Sequence, residues 1–595
     1  MNAIYFPLVP RDPQAQKDQR PSAIGITGSA VYIAGFFEAL VRHSTVDAIY
    51  VPDYPRGRPD DPRSAELFTA HPGRIRSLAE HQLGEMAGAD RLVLTAPFQS
   101  MAGMLRIRRL LRRPRTPITA IIHSINSAHQ MASMLELYLS PVESFDALVC
   151  SSTAGRQAIV KFQQTIERRL SEAGVQAPRT RVRTPVLPLG VETADFVRTD
   201  GAELRRSLSI DAHQRVVLYF GRFSPSSKAD LLPLLIAFAD LARLQPAAVL
   251  VLAGDDTHFR MAGDLTQFAA QLGCGDRVRI VPNPTGAQRV ELYRLAEVFV
   301  SLSDNLQETF GLSVVEAMAA GLPVVASDWD GYRDLVIPEE TGYLIPTFLP
   351  DYPPAFDDVR GSGRMLSPDL LAATTVVDIG ALTRALDLLF TDVDHRLQLG
   401  AAGQRRARAT YDWRAVIRAH EALWSDLQAE AHRDGSAPAA VRPDWTSWGY
   451  REIFGHYGTG FITPAMRLRI TDRGREWRLA AGMLERIAVP ASWFTPDGMA
   501  QVLDRLADAD GTPIDDLLAG GEARDGDRVR ALGEIFRLMK YGLVAPLDAR
   551  AVQAALRSGT AAMDPAPDLE PIDAAIASAR DARAPRPGGA SRANV

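Results

Sequence analysis

Cysteine is scarce: Cys150 and Cys274 are the only two in 595 residues. Two lone thiols make neither a metal-ligand spacing nor a disulfide framework, which fits a reducing compartment. Long apolar runs are missing too, and no uninterrupted stretch approaches the ~20 residues that a bilayer-spanning helix needs. The N-terminal MNAIYFPLVPRDPQAQKDQR lacks a basic start followed by a long apolar core, so no signal peptide is expected there. A strong charge of either sign is also absent. A formal net charge of −5 gives no global reason to expect nucleic acid or an anionic surface as the main partner. Together these absences point to a cytoplasmic protein. What remains is ordinary for a soluble globular chain, 46% apolar and 23% charged. The length exceeds what one core can use and sets an expectation of two to four domains.

The first third alternates short apolar runs with helical patterns. VDAIYV (Val46–Val51), RLVLTAP (Arg91–Pro97), ITAIIHS (Ile118–Ser124), DALVCSS (Asp146–Ser152) and VLPLG (Val186–Gly190) read as strands buried on both faces. Helical stretches such as AVYIAGFFEALVRH (Ala30–His43) lie between them. The alternation restarts after about residue 210 with RVVLYFGR, AVLVLAGDD, RVRIVPN, VFVSLS and LPVVASD as strands. Two βα repeats of similar size predict two parallel sheets, each covered by helices, with a ligand cleft between their strand ends.

One stretch asks for an explanation, SDNLQETFGLSVVEAMAAGLPVVASDWDG, Ser303–Gly331. A short helix is expected to start near Phe310–Leu312 and to stop at Gly321 and Pro323. Glu308 lies just before it and Glu316 about a turn inside. The start of a helix carries unpaired N–H groups and a positive dipole end, and it suits a phosphate. Gly311 would let a ligand approach the backbone. On spacing alone, a first-turn glutamate on a solvated helix face is the commoner case; a pair of carboxylates facing sugar hydroxyls is the other.

The wider context favours the second. ETFGLSVVEAMAAGLPVVASDWDGYRDLV resembles the E-x(7)-E signature of retaining, group 1 (family 4) glycosyltransferases, which have a GT-B fold. LYFGRFSPSSKADLLPLLIAF, VLPLGVETADF, AEVFVSLSDNLQETFG and ATYDWRAVIRAHEALW resemble further segments of that family, in its order. The resemblance runs from about Val186 to Leu427, is weaker but compatible before that, and fails after Asp444. It implies two Rossmann-like domains facing a cleft and transfer of a sugar from a nucleotide-sugar donor. The acceptor stays open among a glycan, a lipid-linked saccharide and a small molecule. No cofactor and no metal are implied.

Residue by residue, the resemblance implies that Arg222 and Lys228 hold the donor diphosphate. From the residues alone they are equally an exposed pair at a strand end. The spacing between them is one residue longer than the usual form, and Ala229 stands where glycine is common. Glu308 is implied to hold donor-sugar hydroxyls and Glu316 the ribose, with the backbone of Thr309, Phe310, Gly311 and Leu312 facing sugar and phosphate. His123 ends a strand where the family often has a histidine, and His129 competes for that role. Gly28 and Ser29, in GITGSAVYIAGFFEAL, match a glycine loop beside the diphosphate. The rival classes are a sugar phosphorylase or an epimerase on the same fold, and a non-catalytic nucleotide-sugar sensor or scaffold.

The expected division is an acceptor domain over 1–205 and a donor domain over 206–410. A terminal core helix over 411–430, a linker over 431–446, an accessory helical domain over 447–560 and a disordered tail over 561–595 follow. The accessory domain is small, mainly helical and resembles a winged helix. Its acidic residues (Asp497, Asp504, Asp508, Asp510, Asp515 and Asp516) argue against DNA, and a protein partner or self-association suits it better. SWGYREIFGHYGTGFIT, Ser447–Thr463, is placed against the catalytic domains. The basic run MLRIRRLLRRPRTP, Met104–Pro117, reads as a solvated helix or as a contact to anionic lipid at the inner membrane face.

Overall fold

A computed structural model of the chain describes residues 1–7, 28–52, 62–78, 80–111, 113–123, 125, 128–140, 142–175, 182–196, 201–225, 227–351, 368–433, 454–458, 460–463, 465–480, 482–488, 494–507, 511–518 and 525–547. Structural statements below concern these residues. The expected tail over 561–595 and most of the expected linker lie outside them.

The first unit is a six-stranded sheet of β1 (Asn2–Tyr5), β2 (Ala48–Pro52), β3 (Ile75–Leu78), β4 (Arg91–Pro97), β5 (Ile118–Ile121) and β6 (Ala147–Val149). Its order is β3-β2-β1-β4-β5-β6, and every pairing is parallel. The second unit repeats the plan with β7 (Arg215–Phe220), β8 (Ala248–Gly254), β9 (Val278–Pro282), β10 (Val298–Ser301), β11 (Val324–Ser327) and β12 (Gly342–Ile345). Its order is β12-β11-β10-β7-β8-β9, again parallel. Strands β8, β10 and β11 are buried along their whole length, as apolar runs under helices on both faces should be. Two parallel sheets of this kind are what the alternation predicts.

The order of each sheet reverses between its first strand and a later neighbour, between β1 and β4 in one and between β7 and β10 in the other. At such a reversal the loops leaving the two strands diverge and open a crevice at the strands' C-terminal ends. In the second unit those loops are Gly221–Asp230, after β7, and Leu302–Gly311, after β10.

Three boundaries differ from the sequence reading. Val186–Gly190 is extended but not a sheet strand. It touches the first sheet through isolated bridges, Ala147 to Arg183 and Cys150 to Val186, because Pro185 and Pro188 have no N–H to continue a ladder. The helix Ala202–Ser207 packs on the second unit, where Arg205 donates to the Leu295 carbonyl (3.1 Å) and lies 3.6 Å from Glu297. Residues 202–205, expected with the first unit, thus lie on a helix that contacts the second. The terminal helix runs Trp413–Arg433 and crosses back onto the first unit, where Trp424 donates to Thr119 (3.2 Å).

The third region is bound to the second unit. β15 (Gly460–Ile462) pairs in parallel with β13 (Thr347–Pro350). A small sheet, β17-β16-β18, joins β16 (Arg467–Ile470), β17 (Thr512–Pro513) and β18 (Val544–Pro546) among short helices. The aromatic segment before β15 also packs inward. Phe454 meets Phe162 of the first unit edge-on (5.9 Å), and His456 Nε2 lies 2.9 Å from the Ala154 carbonyl.

In the basic run, Arg108 is buried. It binds both oxygens of Asp146 (2.7 and 2.9 Å) and the Thr116 carbonyl. Arg113 ties the Ala87 and Ala89 carbonyls. Two arginines of the run are thus structural and not part of a solvated face. Among the described residues no helix is long and apolar enough to cross a membrane.

Candidate functional site

The two loops at the β7/β10 reversal bring their charged residues together. Lys228 Nζ lies 2.5 Å from Glu308 Oε2, and both side chains are largely buried, at 12% and 15% exposure. Arg222 lies on the same loop as Lys228 and donates to the Ser227 carbonyl (3.2 Å), while Tyr219 donates to the Arg222 carbonyl (3.0 Å). Asn305 Nδ2 donates to the Lys228 carbonyl (2.6 Å) and so joins the loops through a second link. Residues 80 apart in sequence thereby form one charged patch.

Gly311 precedes the helix Leu312–Ala319 with φ of 115°. A Cβ there would lie 2.4 Å from the Tyr332 ring. Glycine is needed for its left-handed backbone and to admit that ring. Phe310 is buried with its ring against Tyr411. Thr309 faces the first unit: its hydroxyl donates to the His123 carbonyl (2.5 Å), and its own carbonyl accepts from Ser151 (3.1 Å). Thr153 N–H donates to Asp334 (2.6 Å) nearby. The loop that carries Glu308 therefore touches both units.

Glu316 is buried and held by Arg289, which engages both of its oxygens and lies over the Phe196 ring at 5.4 Å. Burial penalises the Arg289 cation, but Glu316 outweighs that and holds its pKa above the usual value. Arg289 was not selected from sequence. It sits on the helix Gly286–Leu295, where an arginine reads as solvated.

His123 is half-buried with the Tyr32 ring 4.9 Å away, and burial lowers its pKa to about 4. At neutral pH it is an uncharged imidazole, able to hydrogen bond but not to act as a cation. His129 lies on the helix Ala128–Leu139. Gly28 and Ser29 are the first residues of the helix Gly28–His43, and the loop before them lies outside the described residues.

Two more groups belong to this neighbourhood. The Ser313 hydroxyl at the start of the helix Leu312–Ala319 is buried without a hydrogen-bond partner. Asp330 is wholly buried, has φ of 43°, and both of its carboxyl oxygens lack partners. Burial drives its pKa well above 3.8; the Glu308 and Asp334 charges push the same way, and Arg333 opposes them. Because the folded pKa is raised, the carboxyl weakens the fold at neutral pH and ceases to do so below its unfolded pKa of about 4. Asp330→Asn keeps a residue that tolerates positive φ. It should raise the melting temperature by a few degrees at about pH 7.5 and by less at about pH 4. An equal gain at both pH values would contradict this origin.

Comparison with known proteins agrees with the sequence resemblance. Residues 200–351 match the family described as "Glycosyl transferases group 1". The matched stretch lies in the second α/β unit and includes Arg222, Lys228, Glu308 and Glu316. A curated protein named D-inositol 3-phosphate glycosyltransferase from Segniliparus rotundus is 32% identical over 167 residues, covering 28% of this chain and 36% of the relative. One of the same name from Kineococcus radiotolerans is 30% identical over 305 residues, covering 50% and 61%. The chain thus spans between about a third and three fifths of the length of these relatives. Among solved structures, Anabaena HepE in complex with UDP has 16% identity and a TM-score of 0.49, covering 72% of this chain and 100% of that one. Sucrose-phosphate synthase from Thermosynechococcus elongatus has 20% identity and a TM-score of 0.48 over the same shares.

Proposed function

We propose that this protein transfers a glycosyl group from a nucleoside diphosphate sugar to an acceptor, with retention at the anomeric carbon. The observation that carries this reading is the Lys228–Glu308 pair at the reversal point of the second sheet, with Arg222 alongside. A cation and a carboxylate held face to face suit the two halves of such a donor. Lys228 and Arg222 take the diphosphate, and Glu308 takes sugar hydroxyls. Negative charge grows on the diphosphate as the glycosidic bond breaks. The two cations and the positive end of the helix Leu312–Ala319 therefore stabilise the transition state more than the bound donor. Glu316, paired with Arg289, retains acceptor capacity for ribose hydroxyls. His123, neutral and next to the Thr309 loop, offers a hydrogen bond to the transferred sugar.

The names of the curated relatives make an inositol phosphate the first acceptor to offer. With charge neutralisation supplied by Arg222 and Lys228, no metal is needed, and turnover should survive EDTA. The test is release of nucleoside diphosphate from a panel of nucleotide sugars, with and without acceptor. Arg222→Ala should lower kcat/KM by about 10²-fold. Turnover within about threefold of wild type in that variant would reject the assignment. Binding of donor with no turnover against any acceptor would make the protein a sensor instead.

A further inference from the structure

The third region ends the helix Asp525–Lys540 directly beneath the two charged loops. Lys540 is wholly buried; its ammonium pairs with Asp304 and donates to the Ala372 carbonyl at 2.8 Å. The next residue, Tyr541, also buried, donates its hydroxyl to Asp230. Arg537 lies 3.6 Å from the same Asp230 carboxylate and donates to the Ile487 and Ala373 carbonyls. Two buried carboxylates thus meet two buried cations, each group bonded through at least one atom; Asp304 Oδ2 takes both of that carboxylate's bonds, while its Oδ1 has none.

The position of these carboxylates matters. Asp230 is two residues beyond Lys228, and Asp304 is four residues before Glu308. Asp230 N–H donates to Asp304 (3.3 Å), and Asn305, beside Asp304, donates to the Lys228 carbonyl. Asn305 Oδ1 in turn accepts from Gln307 N–H (2.9 Å), one residue before Glu308. An unbroken chain of bonds runs from Lys540 and Tyr541 to the backbone on either side of the Lys228–Glu308 pair.

We propose that the third region is a built-in part of the donor site, and that Lys540 and Tyr541 are positioning residues that fix the Lys228 and Glu308 loops against each other. The inference rests on the donor reading above. It assigns the region a task that a free-standing partner-binding module would not have. A deletion would remove the clamp without removing any residue that touches donor. Catalysis that depends on placing a cation against a diphosphate is sensitive to shifts of about 1 Å, so loosening the loops should lower kcat more than it raises KM.

The test compares three full-length proteins: wild type, Tyr541→Phe, and Lys540→Met combined with Asp304→Asn. Tyr541→Phe keeps the ring and removes only the hydroxyl. The double variant removes a cation and an anion together, so neither charge is orphaned. Each is followed by melting temperature, by hydrogen exchange at residues 228–230 and 304–308, and by kcat and KM for a nucleotide sugar that wild type turns over. The expected result for Tyr541→Phe is a near-native melting temperature, faster exchange in both loops and a kcat lower by about tenfold. If the double variant fails to fold, Tyr541→Phe decides. Wild-type kcat in a folded variant overturns the inference, and so does a fall in kcat with unchanged exchange at those loops. A wild type that neither binds nor turns over any nucleotide sugar refutes the donor reading itself, and the inference falls with it.

Discussion

Lys228→Met should lower turnover of a nucleoside diphosphate sugar by about 10²–10³-fold, some 3–4 kcal/mol of transition-state stabilisation. Methionine keeps most of the length and flexibility of lysine, so the loss is one of charge and not of packing. The pair it breaks is short and mostly shielded from water, 2.5 Å with 12% and 15% exposure. Screening therefore removes less of its strength than it would at an open surface. The loss is also not confined to the cation. Without Lys228, Glu308 faces the buried carboxyl of Asp330 with its counter-charge gone, and the charge on Glu308 already raises the pKa of Asp330. Glu308 should then lose the partner that orients it and with it part of its hold on sugar hydroxyls. Glu308→Gln alone leaves Lys228 free for phosphate and should cost less. Combining the two changes should cost little more than Lys228→Met alone, because residues that act as a unit are not additive. Nucleoside diphosphate release under saturating and limiting donor measures all three. A double variant whose losses multiply would show that the two residues act separately.

Much of this site was legible because its parts have local signatures. The β7–β11 strands are short, largely apolar runs rich in valine, and the stop at Gly321 and Pro323 is written in residue types; the edge strand β12, GYLI, was not read. Both sheets followed from the same alternation. Two strands were harder. The edge strand β3 is IRSL, with its two central residues exposed, and the interior strand β1 is only four residues long, so neither stands out from its surroundings. The partners of the site residues were less legible still. Arg289 reaches Glu316 from 27 residues away, and Lys540 reaches Asp304 from 236 residues away. A basic residue in the last turn of a helix suits the dipole and reads as solvated, and nothing near Lys540 marks it as buried. Gly311 was found for one reason and is required for another, since the ring it admits belongs to Tyr332, 21 residues later. Local pattern gives the element and its ends; which charges it buries depends on the packing of distant segments.

The largest effect on stability is expected at Trp413, at the start of the helix that returns to the first unit. Trp413→Ala should destabilise the fold by about 3–5 kcal/mol, the range for truncating a buried aromatic. The indole is 7% exposed and lies against Tyr32 and Phe36 at 5.6 and 6.2 Å between ring centroids. Two glycines form the slot that receives it. A Cβ on Gly35 would come within 2.8 Å of the ring, and a Cβ on Gly190 within 2.2 Å. Around it, Trp413 N–H donates to the Val191 carbonyl (3.2 Å), and Val191 N–H donates to the Tyr411 carbonyl (2.9 Å), so the chain is pinned on both sides of the ring. Gly190→Ala should therefore destabilise by about 1–3 kcal/mol through overpacking. Trp413→Phe, which shortens the ring system, should lessen that penalty. The Gly190→Ala/Trp413→Phe double variant should be more stable than the sum of the two single losses predicts. Tyr32 packs tilted against Trp413 and also approaches His123, so loosening the slot should reach the face that meets the Thr309 loop. Urea midpoints of the four proteins, read together with donor turnover, would measure both effects. Simple additivity in stability would mean that glycine at 190 is required by something other than the indole.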